Sequence, residues 1–419
     1  MLPILHPSPP HPLTPPSMTK TIFISTGEVS GDLQGAMLID ALKRQAEATG
    51  LELEIVALGG EKMARAGARL LGNTTGIGSV GLLESLPFVV PTLEIQRRAK
   101  QYLQQHPPDL VVLIDYMGPN LGIGSFIRRR LPQVPIVYYI APQDWVWSAR
   151  SIVPRDTMTI VEMTDQLLAV FPEEARYFEK KGASVTWVGH PLVDRMRSAP
   201  TRQEARSALG IAPEQMAIAL VPASRRQELK YMMPIAFEAA RQLQLQMGND
   251  DNGEVLTANS QSPLFWIPLS LETYRPAIER AIQHYGLRAT LVAGQTTEVL
   301  AAADLAITKS GTVNLELALL NVPQVVFYRV SPLTYWIGQV LKFSIPFMSP
   351  PNLVVMRAIV PELLQDQATP GNVVKEALDL LFNPQRHQQT LADYQEMRQL
   401  LGDVGVCDRA AKEILQLAS

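Results

Sequence analysis

The sequence predicts an α/β fold of two Rossmann-like domains facing a cleft, and three observations lead there. Short apolar, β-branched runs alternate with helix-spaced segments, as in a parallel sheet with crossover helices. The alternation breaks at a polar segment after Asp194 and restarts at Ala217. In both halves, clusters of small and polar residues fall directly after a strand-like run, which is where open α/β sheets hold their ligands.

Composition sets the outer limits. The chain has 419 residues, 47% hydrophobic and 18% charged, so it has apolar surface for large cores and is not intrinsically disordered. Its 37 Lys+Arg against 40 Asp+Glu leave a net charge of −3, without the basic footprint that nucleic acid requires. The single cysteine, Cys407, cannot form an internal disulfide or a cysteine-rich metal site, and it reads as a packing residue. No apolar run reaches the ~18 to 20 residues of a spanning helix, which leaves a peripheral membrane role open.

Residues 1–17 hold seven of the 33 prolines and no Asp, Glu, Lys or Arg, and they are expected to be a disordered, Pro-rich tail with Met18 as the start of the folded chain. The first domain, 18–195, carries strand patterns at Thr21–Ser25, Leu53–Leu58, Asp109–Ile114, Pro135–Ile140, Leu167–Val170 and Val185–Val188, with a helix over Leu33–Ala48. The nearly all-apolar DLVVLI run suits the middle of a parallel sheet. Arg195–Arg206 reads as a polar linker. The second domain, 196–372, carries strands at Ala217–Val221, Phe265–Pro268, Ala289–Val292, Leu305–Thr308 and Gln324–Tyr328, and its polar insert Met247–Pro263 reads as a surface loop. Residues 373–419 are helical in pattern and are expected to cross back onto the first domain, by analogy with folds of this kind.

Five motifs follow strands. Gly27-Glu28-Val29-Ser30-Gly31-Asp32 opens the first helix, either as a ligand turn or with Ser30 as the helix cap. Asp115, closing an apolar strand before Tyr116-Met117-Gly118-Pro119-Asn120, is either a general base at the cleft mouth or a structural group, as a helix N-cap or hydrogen-bonded to Asn120. Pro142-Gln143-Asp144 with Trp145 and Trp147 suits sugars or acyl chains, and equally interdomain packing. Ser224-Arg225-Arg226 with Glu228 makes either a phosphate turn or a capped helix. Lys309-Ser310-Gly311-Thr312, with Glu316 one turn into the next helix, offers donors for a diphosphate and an acceptor for ribose hydroxyls, although a capping box would use some of the same groups.

At these residues the chain resembles the lipid-A-disaccharide synthases, inverting glycosyltransferases of the GT-B fold, over most of 20–385. The resemblance is carried by SGD-x-x-GA at Ser30–Ala36, GG-x-x-M at Gly59–Met63, the Asp115…Asn120 turn, FP-x-E at Phe171–Glu174 and VGHPL-x-D at Val188–Asp194. It continues through Ser224-Arg225, SGT-x-x-LE at Ser310–Glu316, YRVSPLTYW at Tyr328–Trp336, PNL at Pro351–Leu353 and VPELLQ at Val360–Gln365.

The resemblance implies transfer of 2,3-diacylglucosamine from UDP to 2,3-diacylglucosamine 1-phosphate, giving a β-1,6-linked disaccharide phosphate and UDP. It implies Asp115 as general base, and Ser224, Arg225, Ser310, Gly311, Thr312 and Glu316 as UDP-binding residues. Glu28, Ser30, Gly31, Asn120, Gln143 and Asn352 would line the substrate cleft. No cofactor is implied, since the UDP-sugar is a substrate. The absence of a D-x-D pair fits a metal-independent route, with Arg225 and the helix start at Gly311 balancing the leaving diphosphate.

Acylated substrates imply a membrane surface as partner, with the protein peripheral on the inner, cytoplasmic face; a homodimer is a further expectation. The segment Val80–Ile95, followed by Arg97 and Arg98, would serve as the surface element, unless it is an ordinary buried helix. Gly118, Tyr138, Ala141, Asp144 and Ser148 depart from the family pattern, and they cluster on the acceptor side. The alternatives are therefore a UDP-sugar-dependent transferase with another amphiphilic acceptor and a catalytically silent UDP-sugar or lipid-binding protein. An epimerase of the same fold fits less well.

Overall fold

A computed structural model describes residues 19–75, 86–142, 155–224, 226–248, 262–331 and 346–418. Two parallel sheets organise the chain. The first contains β1 (Thr19–Ser25), β2 (Glu52–Gly59), β3 (Arg69–Asn73), β4 (Leu110–Ile114), β5 (Ile136–Tyr139), β6 (Gln166–Ala169) and β7 (Val185–Trp187), in the order β3-β2-β1-β4-β5-β6-β7. The second contains β8 (Ala217–Val221), β9 (Leu264–Leu269), β10 (Ala289–Ala293), β11 (Leu305–Lys309), β12 (Gln324–Tyr328) and β13 (Glu362–Leu364), in the order β10-β9-β8-β11-β12-β13. The order reverses between β1 and β4 in one sheet and between β8 and β11 in the other. Each reversal opens a crevice at the carboxyl ends of the strands.

The central strands sit where their sequences require. All five residues of β4 are buried, because helices cover both faces of the sheet. In register, Ile22 pairs with Ile55 on one side and Leu110 on the other. Sequence patterning misses β3 and β13. Both are edge strands, one broken by Gly72 and only partly buried, the other three residues long. The other two edge strands, β7 and β10, are read from the sequence because they carry β-branched residues; β3 and β13 carry none and are only partly buried.

Several motif blocks that resemble the family are explained by packing. Asp32 is 4% exposed and accepts the backbone N–H groups of Gly60, Lys62 and Met63, so it holds the start of helix α2 (Glu61–Arg65) from helix α1 (Glu28–Thr49). Met63 then lies against two glycines: a Cβ on Gly35 or Gly59 would come within 2.7 or 2.3 Å of its Sδ. The SGD-x-x-GA and GG-x-x-M blocks are thus two halves of one contact.

The segment expected to be a linker is partly structured. Thr201 and Glu204 form a capping box for the Arg202–Leu209 helix, and Arg206 is buried, donating to Ala302 O and Ala212 O.

The C-terminal helices divide. Pro370–Phe382 packs on the second domain beside β12, whereas Val406–Ala418 lies along α1 of the first. The returning helix is received by the VGHPL-x-D block. Asp194 accepts from the N–H groups of Gly405, Val406 and Cys407, and Arg409 donates twice to Val188 O. His190 is 4% exposed, and burial drops its imidazole to about 3, so it is neutral; its Nδ1 accepts from Leu192 N and its ring meets Phe171. Cys407 is buried at this seam, where burial pushes its thiol up, as suits a packing residue.

One apolar cluster fills the first domain and continues through Leu315, Ala318, Leu353 and Val354 of the second and Tyr394, Met397 and Ile414 of the C-terminal helices. Two further clusters fill the second domain.

Candidate active site

The first crevice is built around Asp115. It follows β4 at φ 46°, and Tyr116 follows at φ 51°, so two consecutive non-glycine residues occupy the left-handed region. Such backbone costs of order 1–3 kcal/mol per residue and persists only where neighbours fix it. Here they do. Asp115 N donates to Ile140 O at 3.0 Å, while Asp115 O accepts from Asn120 Nδ2 at 2.7 Å and from the Tyr138 hydroxyl at 2.9 Å. Burial, helped by the Asp115 charge, raises the Tyr138 phenol well above its usual range, so it stays a donor. The Tyr116 ring lies on Gly27, where a Cβ would come within 2.4 Å of it. The motifs after β1 and β4 therefore close on each other.

Beside them sits a fully buried carboxyl. Glu174 accepts from Ala141 N through Oε1 and from Val170 N and Phe171 N through Oε2. Burial raises it to about 7 against those three stabilising bonds, and the charge of Asp115 adds a smaller push. It ties the ends of β5 and β6 at Ala141, just before Pro142 and Gln143.

The second crevice joins the loops after β8 and β11. Ser224 is exposed, and its N–H is held by Glu228 Oε2 at 2.6 Å. Ser310 Oγ donates to Met348 O. Thr312 stands at the cap position of the seven-residue Val313–Leu319 helix, from which Glu316 points toward the first domain. Glu316 is 7% exposed and receives Arg195 Nη1 at 2.7 Å. Burial raises its carboxyl and Arg195 opposes this, with Lys62 of α2 contributing in the same sense as Arg195. Arg195, read from sequence as linker, thus bridges the two lobes at the proposed ribose acceptor. Nothing in its polar surroundings signals that role.

The structure relocates several expected site residues. Asn120 is fully buried: Oδ1 accepts from Ser25 Oγ, and Nδ2 reaches Ser25 O, Ile114 O and Asp115 O. It holds the Asp115 turn and presents no surface to a substrate. Asn352, 1% exposed, likewise accepts from Ile359 N and Val360 N and donates to Val360 O and Glu362 Oε1, joining the PNL and VPELLQ blocks. Ser30 is not the helix cap. Helix α1 begins two residues earlier, with Gly27 at the cap position and no side-chain cap. Gly31 serves close approach, since a Cβ there would lie 1.9 Å from Thr26 Oγ1. The Gly311 N–H is engaged by Asn314 Oδ1 at 2.7 Å. Arg225, Gln143, Asp144, Ser148 and the tryptophan pair lie outside the described residues, and for Glu28 only its place at the start of α1 is described.

Two doubly wound sheets joined by the Arg195–Glu316 pair, with a strained aspartate after one switch-point strand and a serine and threonine loop leading to a buried glutamate after the other, have the GT-B fold. Structural neighbours agree on the fold. The UDP-GlcNAc 2-epimerase of Neisseria meningitidis bound to UDP-GlcNAc covers 95% of this chain and 100% of its own at a TM-score of 0.62 and 11% identity. The S. aureus MnaA–UDP co-structure gives 0.62 at 16% identity, over 95% and 97%. Identities this low speak for fold alone.

Sequence comparison decides the family. The lipid-A-disaccharide synthetase family model matches residues 22–417. A lipid-A-disaccharide synthase from Gloeothece citriformis is 60% identical over 94% of this chain and 99% of its own length, and one from Synechocystis sp. is 54% identical over 95% and 98%. The chain belongs to the lipid-A-disaccharide synthase family and is a glycosyltransferase.

Proposed function

We propose that the protein transfers 2,3-diacylglucosamine from its UDP donor to 2,3-diacylglucosamine 1-phosphate, with inversion and a β-1,6 linkage. The observation that carries the reading is the braced, left-handed Asp115 at the first switch point, in a chain of this family. The acceptor 6-hydroxyl attacks the anomeric carbon from the side opposite UDP. A carbon–oxygen bond forms, the bond to the diphosphate breaks, and the hydroxyl proton passes to the Asp115 carboxylate. Ser224, Ser310 and Thr312, with Arg225, hold the diphosphate, and Glu316 takes the ribose hydroxyls.

Both substrates carry acyl chains, so the site works at a membrane surface, on the inner face of the cytoplasmic membrane. Among the described residues no helix is long and apolar enough to cross a membrane. Helix α3 (Leu86–Gln105) nonetheless exposes Val89, Val90 and Leu93 by 45%, 72% and 60%. Beside them Arg97 and Lys100 line one hollow, and Arg129 and Arg130 of helix α4 (Met117–Arg130) line a second that shares Gln104 and Phe126 with it. An apolar edge next to basic hollows suits an anionic bilayer surface. A different amphiphilic acceptor is the second reading, supported by Gly118, which departs from the family pattern at the Asp115 turn where a larger side chain would meet open space.

The test is UDP release with both acylated glucosamine substrates. Wild-type protein should turn over, and Asp115→Ala should lose on the order of 10²–10⁴-fold in kcat with UDP affinity kept. Full turnover by the variant would remove Asp115 as base. UDP binding without turnover of these substrates would point to another acceptor.

A further inference from the structure

The reaction chemistry described above leaves the buried Lys309–Glu228 ion pair unused. Lys309 ends β11 and is 7% exposed; Glu228, on the Arg226–Tyr231 helix that follows the β8 loop, is 4% exposed. Lys309 Nζ lies 3.5 Å from Glu228 Oε1. The other oxygen, Oε2, accepts from Ser224 N at 2.6 Å and Ser224 Oγ at 3.3 Å. Nζ also lies close to Gly311, where an added Cβ would come within 2.9 Å of it. Since β8 and β11 are paired neighbours, this one carboxylate–ammonium pair joins the two loops of the second crevice.

We infer that Lys309 is a positioning residue for the leaving diphosphate, acting through Glu228 to keep the Ser224 turn and the Gly311 loop in register and electrically neutral toward the anion. The inference rests on the reading that the second lobe holds a nucleoside diphosphate. Glu228 organises Ser224 by accepting its N–H, yet a lone carboxylate behind that turn would repel the phosphates through a poorly screened interior. Lys309 cancels the charge from the side where glycine lets it come close. Breaking a buried pair by removing one partner leaves the other charge uncompensated, whereas removing both does not.

The two cases separate in a double-mutant cycle. Calorimetric titration of the full chain with UDP, and with uridine, which lacks phosphates, gives the readout. Lys309→Met should weaken UDP about tenfold or more while uridine affinity stays within about twofold. Glu228→Gln keeps an acceptor for Ser224 and should bind UDP at least as well as wild type. In the Glu228→Gln background, Lys309→Met should cost less than about threefold. Unchanged UDP affinity in Lys309→Met overturns the inference, and so does a parallel loss of uridine. A tenfold loss that persists when Glu228→Gln is also present overturns it too, because Lys309 would then be a direct phosphate ligand. If Lys309→Met alone does not fold, the comparison of Glu228→Gln with the double variant still decides. Wild-type protein that fails to bind UDP removes the nucleotide reading itself, and this inference with it; wild-type binding with indifferent variants removes this inference alone.

Discussion

Glu174 makes the protein's stability depend on pH in an unusual direction. Its carboxyl is fully buried and titrates at about 7 in the folded chain, against 4.5 for the free group. Between those values the folded state holds a proton that the unfolded state has released. Stability contributed by this group is therefore complete below about pH 4.5 and is lost as pH rises to about 7, the reverse of a salt-bridged carboxylate. The difference of about 2.5 units, at 1.36 kcal/mol each, amounts to about 3 kcal/mol. Glu174→Gln cannot ionise, so the variant should lose this slope. It should also carry a fixed penalty of about 1–3 kcal/mol, because its amide NH₂ faces backbone N–H groups at Ala141, Val170 or Phe171. Urea unfolding of both proteins at intervals from pH 4.5 to 8 measures the difference curve. Asp115→Ala, by removing a nearby negative charge, should shift the Glu174 transition to lower pH. A difference between wild type and Glu174→Gln that is constant with pH would refute the reasoning, since it would mean that the three N–H donors outweigh burial and the carboxylate is ionised throughout.

Two further outcomes follow from the packing. Asp194→Ala removes the acceptor for three N–H groups at the start of the Val406–Ala418 helix and should cost about 1–2 kcal/mol, with faster amide hydrogen exchange confined to that helix and its seam with α1. Uniform exchange across both domains would refute a local docking role. Val90→Asp combined with Leu93→Asp should abolish co-flotation with vesicles containing anionic lipid and leave thermal stability near wild type, because both side chains are already exposed. Undiminished flotation would exclude α3 as the membrane-facing element.

Much of the architecture is legible because parallel sheets write a strong signature. The buried runs of β1, β4, β5, β8, β11 and β12 are mainly apolar, with buried polar residues only at their ends, such as Ser25, Thr308, Lys309 and Gln324, and the motifs after them mark the ligand edge. Strands β3 and β13, partly buried and without a β-branched residue, write no such signature and do not show in the sequence, whereas the other edge strands, β7 and β10, do. Among site residues, Asp115 and Glu316 stand out by chemistry, since each is an acid placed directly after an apolar run or inside a helix start. Asn120 and Asn352 resemble ligand-facing polar residues in sequence, yet both spend their amides inside the fold, on backbone groups and on the side chains of Ser25 and Glu362. A buried polar side chain must find partners, and which partners depends on residues many positions away.

The one-dimensional chain, by itself, determined the strand and helix alternation, the two-domain division and the residue types gathered at each strand end. Hydrophobic period and turn chemistry are local, and they act over a few residues. Strand order decided the rest. Only when β4 returns beside β1, and β11 beside β8, does the Gly27 turn meet Tyr116 and the Ser224 turn meet Lys309 through Glu228. Arg195 gains its partner Glu316 across 121 positions, and Asp194 gains the last helix across more than 200, through contacts that exist only once the two lobes have packed.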